Sequence, residues 1–354
     1  MERPATSGLR RRDAALDGLR TIAVLLMIAS HTTRLIVWDS RREWSRFSLL
    51  IEPLTASLFL ILVGASLVHS WRISGSENRT AWYRKHALRA LGLWAVSCLF
   101  YTLEDGFQLP DAVLMSGILA TIAYSILIGM VLVSLRRPVP TLLGISAGLA
   151  YVHFHLDRSH IQWFMVNAGN SPPIPLFLFA CLGALGIMAL ESQHRWIRIT
   201  LVACAILTLS LVLHLHPFGE VFTKPLGRFE TVRALVSGPA EARIEKIIPY
   251  YNLRPILVPV IASLTILMYA VFAIARPLWD KFARYAFPMG RHSLDVYILH
   301  LALLALLVVK GGMRPLKQTW QGDVVFAGVV MISYAWALGH DFLRARRKSA
   351  PVTT

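Results

Sequence analysis

Charged residues are scarce in this chain: they make up 16% of its 354 residues, whereas 55% are hydrophobic and the mean hydropathy is +0.55. A soluble globular domain carries about 25% charged residues, so this composition excludes an ordinary soluble enzyme. It is typical of a polytopic membrane protein. Since helices satisfy all their backbone hydrogen bonds internally, we expect an all-α fold that spans a bilayer.

Cysteine and acidic residues are also few. Cys98, Cys181 and Cys204 stand singly in apolar stretches, so neither disulfides nor a zinc site is expected. The histidines near 153–160 and 214–216 have no convincing ligand pattern, and we expect no metal. Basic residues outnumber acidic ones by 36 to 20. They lie in short segments between apolar stretches, where they set membrane topology, so no nucleic-acid partner is expected.

Ten apolar stretches are each close to the roughly 20 residues that a helix needs to cross a bilayer. The first is too long for the hydrophobic region of a signal peptide and is expected to remain as a span. Together they predict a single transmembrane domain around a central cavity. The predicted spans are 15–37, 48–71, 87–103, 112–135, 139–154, 174–190, 197–215, 255–275, 288–309 and 322–343.

Lysine and arginine in short loops favour the cytoplasmic side of a membrane. With a cytoplasmic N-terminus, the inner segments hold most of the basic residues, and the loop between the third and fourth spans holds none. The N-terminal tail, 1–14, and the C-terminal tail, 344–354, are therefore both predicted to be cytoplasmic. Between them lies a transmembrane domain over residues 15–343. The longest loop, about 216–254, is predicted to be extracytoplasmic. We expect a multi-pass protein of the cell (inner) membrane, with lipids as partners and an oligomer as an open question.

Arg20 and His31 lie inside the first span, where ionisable groups are costly and usually serve a function. Eleven positions at about 100° each are close to three full turns, so both side chains share one helix face, about 16 Å apart. The spacing predicts a cationic group near the cytoplasmic end of a cavity and an imidazole in its outer half.

Four segments then occur in a recognisable order: LDGLRTIAVLLMIASH (16–31), LFLILVGASLVHSW (58–71), YRKHALRALG (83–92) and MGRHSLDVYILH (289–300). Together they resemble the superfamily of integral-membrane acyltransferases. That superfamily includes bacterial O-acetyltransferases of surface polysaccharides and the heparan-α-glucosaminide N-acetyltransferase type. SGILATIAYSILI and PPIPLFLFACLGALG look more like the second group.

The resemblance implies transfer of an acyl group, usually acetyl, from cytosolic acetyl-CoA to a hydroxyl or amine of an extracytoplasmic glycan or glycolipid. Arg20 and His31 match the arginine and histidine of the polysaccharide O-acetyltransferases. Thr21 stands where many members have glycine, and the heparan type often has asparagine at the position of His31. The acceptor, the acyl chain and the choice between direct transfer and an acylated intermediate stay open.

Acyl transfer needs a base for the acceptor proton, and imidazole is the side chain best suited to that near neutral pH. We predict His31 as this base; a core histidine bonded between helices is the alternative. The guanidinium of Arg20 suits a phosphate or a pantetheine carbonyl of CoA. Asp17, three residues earlier, is predicted to pair with Arg20 in the cofactor-binding region or to form a purely structural pair with it.

Two further residues are candidate catalytic groups. Glu52 falls level with His31 if the first two spans form a symmetric hairpin, and its carboxylate would then orient the imidazole. An interfacial glutamate bound to loop arginines is the alternative. His300 lies near the middle of the ninth span, at a depth close to that of His31, and is a rival for the base. A structural histidine packed on Tyr297 is equally compatible with the pattern.

The basic inner loops are the expected surface for the CoA phosphates. Arg84 and Arg89 are the first candidates, because this pair leads into the third span. Topology or contact with lipid headgroups explains such residues equally well. The competing functional class is a secondary transporter or flippase that uses the same intramembrane ionisable residues as a relay. The absence of a visible inverted repeat and the concentration of these residues on the first span favour the acyltransferase.

Overall fold

The computed structural model describes residues 13–36, 43–75, 77–107, 109–114, 116–159, 165, 171–215, 257–309 and 319–349. Across these residues the chain is helical with no β-strand, which confirms the all-α class. The loop predicted at about 216–254, the first twelve residues and the last five lie outside the described residues. The predictions that concern those segments are therefore untested.

Each of the ten predicted spans overlaps at least one helix of the described part. The described part contains thirteen α-helices and one π-helical turn, numbered here in chain order. They are α1 (Ala14–Ile36), α2 (Glu43–Ser70), the π turn (Trp71–Gly75), α3 (Arg79–Asp105), α4 (Asp111–Leu114), α5 (Ile118–Val133), α6 (Pro138–Ser159), α7 (Pro173–Leu190), α8 (Arg195–Leu215), α9 (Leu257–Ile274), α10 (Arg276–Ala286), α11 (Pro288–Arg291), α12 (Ser293–Val309) and α13 (Thr319–Ser349).

Seven helices of the described part are long and apolar enough to cross a membrane. They are α1, α2, α3, α7, α8, α9 and α13. Helices α5 and α12 are apolar but shorter, and α6 is not among the seven. Over the residues that the structure describes, the chain is thus all-helical with seven candidate membrane spans, while the total of ten and the cytoplasmic termini stay predictions.

The fourth and ninth predicted spans are each interrupted in the structure. The first interruption separates α4 from α5 at Gly117, whose φ of 110° suits glycine and few other residues. The second separates α11 from α12 at His292, whose φ of −115° and ψ of 32° are not helical. The hydropathy of a segment indicates that it can cross a membrane but contains no information on its backbone dihedrals. Neither break could therefore be predicted from hydropathy.

The described helices belong to two compact units. The first unit comprises Met1–Trp44 and Met268–Thr354 and contains α1, the end of α9, and α10 to α13. In it, α1 packs against α10, α11, α12 and α13. Buried side chains lie on several faces of α1, including Leu16, Leu19, Val24 and Ile28. A helix surrounded in this way holds its polar groups at fixed positions in the core of the unit.

The second unit, Ser45–Leu267, contains most of α2, the π turn, α3 to α8 and the start of α9. Two glycines allow the backbones of α2 and α7 to touch. A Cβ on Gly64 would lie 1.8 Å from the Ala180 carbonyl oxygen, and one on Gly183 would lie 1.9 Å from the Ile61 oxygen. Only glycine fits at these two positions, which is how small residues bring membrane helices together.

A carboxylate at the end of α7 joins it to the end of α2 within the second unit. Glu191 Oε1 lies 3.1 Å from His69 Nδ1, and its other oxygen accepts a hydrogen bond from Arg72. Burial alone would raise the pKa of the Glu191 carboxyl, but the bonds and charges of His69 and Arg72 lower this pKa below its ordinary value. The ionised carboxylate is thus the form that stabilises the fold.

Replacing Glu191 by glutamine is expected to lower the free energy of unfolding at pH 7 by about 1 kcal/mol. Because the folded pKa is lowered, the contribution of Glu191 is present above the unfolded pKa of about 4.3 and is lost as the pH falls through the folded value. Melting temperatures of parent and Glu191→Gln in detergent should therefore converge as the pH falls below about 4. Glu77→Gln, at an exposed position, is the matched control. A gap that widens in acid would contradict the assignment.

Candidate active site

The imidazoles of His31 and His300 are hydrogen-bonded to each other in the first unit. His31 Nδ1 lies 2.8 Å from His300 Nε2, and the ring planes differ by 10°. His31, on α1, is partly exposed, whereas His300, on α12, is completely buried. The two histidines predicted at a similar depth are therefore direct partners.

The bond at the far side of His300 assigns the proton positions in this pair. His300 Nδ1 lies 3.1 Å from the Val296 carbonyl oxygen, which can only accept a hydrogen bond. His300 Nδ1 must then carry a proton, and in the neutral ring Nε2 is an acceptor. His31 Nδ1 consequently donates to His300 Nε2. The lone pair of a neutral His31 is left on Nε2, the nitrogen on the other side of its ring.

Tyr297 packs its ring edge-on against both imidazoles. Its centroid lies 6.2 Å from that of His31 and 5.4 Å from that of His300, with interplanar angles of 77° and 83°. Tyr297 stands one helical turn before His300 on α12. The same helix therefore supplies both His300, the partner of His31, and the aromatic ring that packs on the two imidazoles. The contact of His300 with Tyr297, given above as the structural alternative, is thus present in the structure. His31 contacts the same tyrosine ring.

Arg20 and Asp17 form the predicted ion pair on α1. Arg20 Nη1 lies 2.5 Å from Asp17 Oδ1, and the Asp17 side chain is 7% exposed against 27% for Arg20. The carboxylate is buried while the guanidinium reaches the surface of the unit. Arg20 and His31 also lie in one unbroken helix, as the spacing argument requires.

The main chain around Asp17 is in close contact with α11. Thr21 donates its hydroxyl proton to the Asp17 carbonyl oxygen at 3.0 Å and accepts the Gly290 N–H at 3.1 Å. A Cβ on Gly290 would lie 2.0 Å from the Asp17 carbonyl oxygen. The four-residue helix α11 is thus seated directly on α1, one helical segment before the helix that carries His300.

The segment that joins α11 to α12 is bonded to α13 through the carboxylate of Asp341. Asp341 Oδ2 accepts bonds from Arg291 Nε at 2.9 Å and Nη2 at 2.6 Å, and Asp341 Oδ1 lies 2.9 Å from His292 Nε2. His292 Nδ1 also lies 3.6 Å from Asp295 Oδ2. The link between α11 and α12 is therefore held on α13 by the Asp341 carboxylate, which binds the consecutive residues Arg291 and His292.

The remaining predicted site residues lie in the second unit. Arg84 and Arg89 are both exposed on α3, five positions and so about 140° apart, and they do not share one helix face. The backbone of Glu52 belongs to α2, and its side chain lies outside the described part of the structure. The structure therefore groups Asp17 with Arg20, and His31 with His300.

Sequence reasoning missed two acidic residues that bind charged partners, Asp341 and Glu191. Asp341 stands inside the apolar segment of α13, and the rule that singled out Arg20 applies to it equally. Glu191 follows an apolar run directly and has the ordinary appearance of a loop residue. Nothing in the local sequence around Glu191 signals its partners, which are about 120 residues away along the chain.

Comparison with known families adds one finding. Residues 12–189, about half of the chain, match the sequence model of the family described as heparan-alpha-glucosaminide N-acetyltransferase, catalytic. The match includes α1 with Asp17, Arg20 and His31, and it ends before α12. No curated protein matches the chain.

Proposed function

The chain belongs to the heparan-alpha-glucosaminide N-acetyltransferase family, and from this membership we propose that it moves an acetyl group from cytosolic acetyl-CoA to an extracytoplasmic glycan or glycolipid. The family makes it a membrane acetyltransferase. The acceptor group is a hydroxyl or an amine, and the enzyme acts in the cell (inner) membrane. The observation that carries the proposal is the bond between His31 and His300 inside the helical unit of α1.

In this proposal His31 is the general base. The acceptor oxygen or nitrogen attacks the thioester carbonyl carbon, a new C–O or C–N bond forms, and the C–S bond breaks. His31 Nε2 takes the acceptor proton, and the leaving thiolate then receives that proton. The tautomer assigned above supports this role, because it leaves the lone pair on the nitrogen that does not face His300.

His300 supports the reaction through His31. Its Nε2 accepts the His31 Nδ1 proton, so it holds the ring of the base in one orientation and favours the imidazolium that forms during transfer. The Val296 carbonyl in turn holds His300 in the tautomer that accepts. An aspartate or asparagine often fills this position behind a catalytic histidine, and here a buried imidazole does so. The sequence suggests the same orienting role for Glu52, and for that residue the role stays a prediction.

Arg20 is proposed to bind the donor on the cytoplasmic side. Its guanidinium is partly exposed and is oriented by the buried Asp17 carboxylate, and the planar fork of a guanidinium suits a phosphate or a pantetheine carbonyl. Arg84 and Arg89 are exposed basic residues near the start of α3 and are proposed as additional contacts for the CoA phosphates.

Acetyl transfer is tested directly with radiolabelled acetyl-CoA, the purified full chain in detergent, and a panel of amino sugars and glycans. We expect label on at least one acceptor. Binding of CoA is measured first by thermal stabilisation, since a ligand at 100 times its Kd stabilises the folded state by about 2.7 kcal/mol. A chain that binds neither CoA nor acetyl-CoA contradicts the acetyltransferase and favours the transporter.

Replacing Arg20 by alanine is expected to raise the KM for acetyl-CoA about 10–100-fold with a smaller change in kcat, because a charge-assisted hydrogen bond contributes about 1.5–3 kcal/mol. The substitution also leaves the buried Asp17 carboxylate without this partner. The double variant Asp17→Asn/Arg20→Ala separates the two effects. Recovery of the parent KM in the double variant shows that Arg20 only neutralised Asp17, and a KM that stays high supports the donor contact.

A further inference from the structure

Helix α10 follows the apolar helix α9 in the chain and differs from it in composition. It runs from Arg276 to Ala286, directly after α9 ends at Ile274 and before α11 begins at Pro288. Its eleven residues include three basic ones, Arg276, Lys281 and Arg284, and one acidic one, Asp280. The preceding helix α9 carries no charged residue. Since α9 is a candidate membrane span, α10 begins where a span ends.

One face of α10 is fixed to its own unit. The Trp279 ring lies 5.2 Å from the Phe287 ring and 5.9 Å from the Phe272 ring, measured between centroids. The Tyr285 carbonyl oxygen accepts a bond of 2.6 Å from the Tyr334 hydroxyl of α13. These contacts hold the helix in place through aromatic packing on one side and a main-chain bond near its end.

A different face of α10 exposes a row of large apolar side chains. Leu278 is 64% exposed, Phe282 53% and Tyr285 59%. Positions four and three residues apart lie above one another on a helix, so these three residues form one continuous stripe. An exposed apolar stripe on a helix held rigidly by its other face is typical of an interfacial segment and not of a helix in water.

The charge of α10 identifies what meets this stripe. Helical periodicity places the backbone positions of Lys281 and Arg284 on the face next to the apolar stripe. The segment carries a net charge of +2 from three basic residues and one acidic residue. Short basic segments between spans are predicted to be cytoplasmic, and the cytoplasmic leaflet carries anionic lipids. Apolar and basic faces side by side match the acyl chains and headgroups of such a leaflet.

We propose that α10 lies along the cytoplasmic surface of the membrane, with Leu278, Phe282 and Tyr285 among the acyl chains and its basic residues on anionic phospholipid headgroups. The partner is lipid and not the phosphates of CoA, since a soluble cofactor provides nothing to cover the apolar stripe. The proposal does not depend on the acetyltransferase reaction and holds equally for a transporter of the same fold.

The headgroup contact is tested by counting bound lipid. The full chain is placed in nanodiscs of phosphatidylcholine with 20% phosphatidylglycerol, re-extracted in detergent, and analysed for retained lipid by mass spectrometry. The triple variant Arg276→Gln/Lys281→Gln/Arg284→Gln is expected to retain at least threefold less phosphatidylglycerol than the parent. The control Arg136→Gln/Arg137→Gln/Arg195→Gln removes the same charge from exposed residues outside α10. Equal losses in both triples overturn the proposal.

A second measurement tests the position of the stripe. Phe282→Cys and, as a control, Arg136→Cys are spin-labelled in a background whose three native cysteines are changed to alanine. We expect oxygen dissolved in the lipid to relax the label at 282 more than an aqueous nickel chelate does, and the reverse at 136. A label at 282 that is as accessible to nickel as the control overturns the proposal. So does a charge-removing triple that loses thermal stabilisation by CoA but keeps its phosphatidylglycerol.

Discussion

Replacing His31 by alanine is expected to slow acetyl transfer by about 10²–10⁴-fold, because positioned proton transfer contributes that much to a rate. The affinity for acetyl-CoA should stay within about twofold, since His31 is proposed to act on the acceptor and not on the donor. Initial rates with radiolabelled acetyl-CoA give the first quantity. Thermal stabilisation by CoA gives the second.

The control for this variant removes a different imidazole from a helix. His155 is exposed on α6 and packs against Tyr151, with ring centroids 4.2 Å apart. His155→Ala should leave the rate within about twofold, so a loss confined to His31→Ala excludes a general effect of deleting histidine. Label transfer that survives in His31→Ala at the parent rate contradicts the base assignment.

The two histidines can be told apart by comparing their variants. His300→Ala leaves His31 in place but removes the acceptor of its Nδ1 proton, so the base loses its fixed orientation. We expect a loss of about 10–100-fold, smaller than that of His31→Ala, since second partners of this kind contribute about that factor. If His300→Ala is the more damaging change, His300 is the base and His31 its partner.

Replacing Gly290 by alanine is expected to remove most of the activity and to lower the free energy of unfolding by about 1–3 kcal/mol, the usual cost of overpacking. The added Cβ would lie 2.0 Å from the Asp17 carbonyl oxygen and 2.7 Å from Thr21 Oγ1. Neither the backbone nor a hydroxyl with two hydrogen bonds moves aside easily. Helix α11 must therefore shift away from α1, and α12 with His300 follows it.

Two glycines of α13 provide matched controls for Gly290→Ala. A Cβ on Gly328 or Gly339 has no heavy atom within 4 Å. Alanine is favoured over glycine in a helix by about 1 kcal/mol, so Gly328→Ala and Gly339→Ala should be neutral or stabilising. Activity and melting temperature are measured for all three variants. If Gly290→Ala resembles the α13 controls, the contact of α11 with α1 does not set the position of His300.

Part of this architecture follows from the sequence, and the reason is physical. The long helices were predictable because hydrophobicity over about 20 residues identifies a bilayer-sized helix almost by itself. The ion pair of Arg20 with Asp17 was predictable for a similar reason, since positions three apart on one helix are neighbours. Both arguments use only local periodicity.

Other features depend on contacts between distant segments and could not be predicted in the same way. The depth argument placed His31 and His300 at one level, but only the packing of α1 on α12 makes them partners across 269 positions. The sequence presented them as rivals for one role, and the structure joins them. Glu191 was missed because a lone carboxylate at the end of an apolar run has no local signal of its partner, whereas Asp341 lies inside an apolar segment and could have been found by the rule that singled out Arg20.

The bond from His300 to the Val296 carbonyl has a consequence for proton movement. A carbonyl oxygen accepts a hydrogen bond but has no proton to release, so the sequence of bonds from His31 through His300 ends there. A proton taken up at His31 therefore has no onward acceptor at the Val296 end of this pair, and in the proposed reaction it leaves His31 for the thiolate. We therefore expect the pair to hold one proton between its uptake from the acceptor and its release to the leaving thiolate.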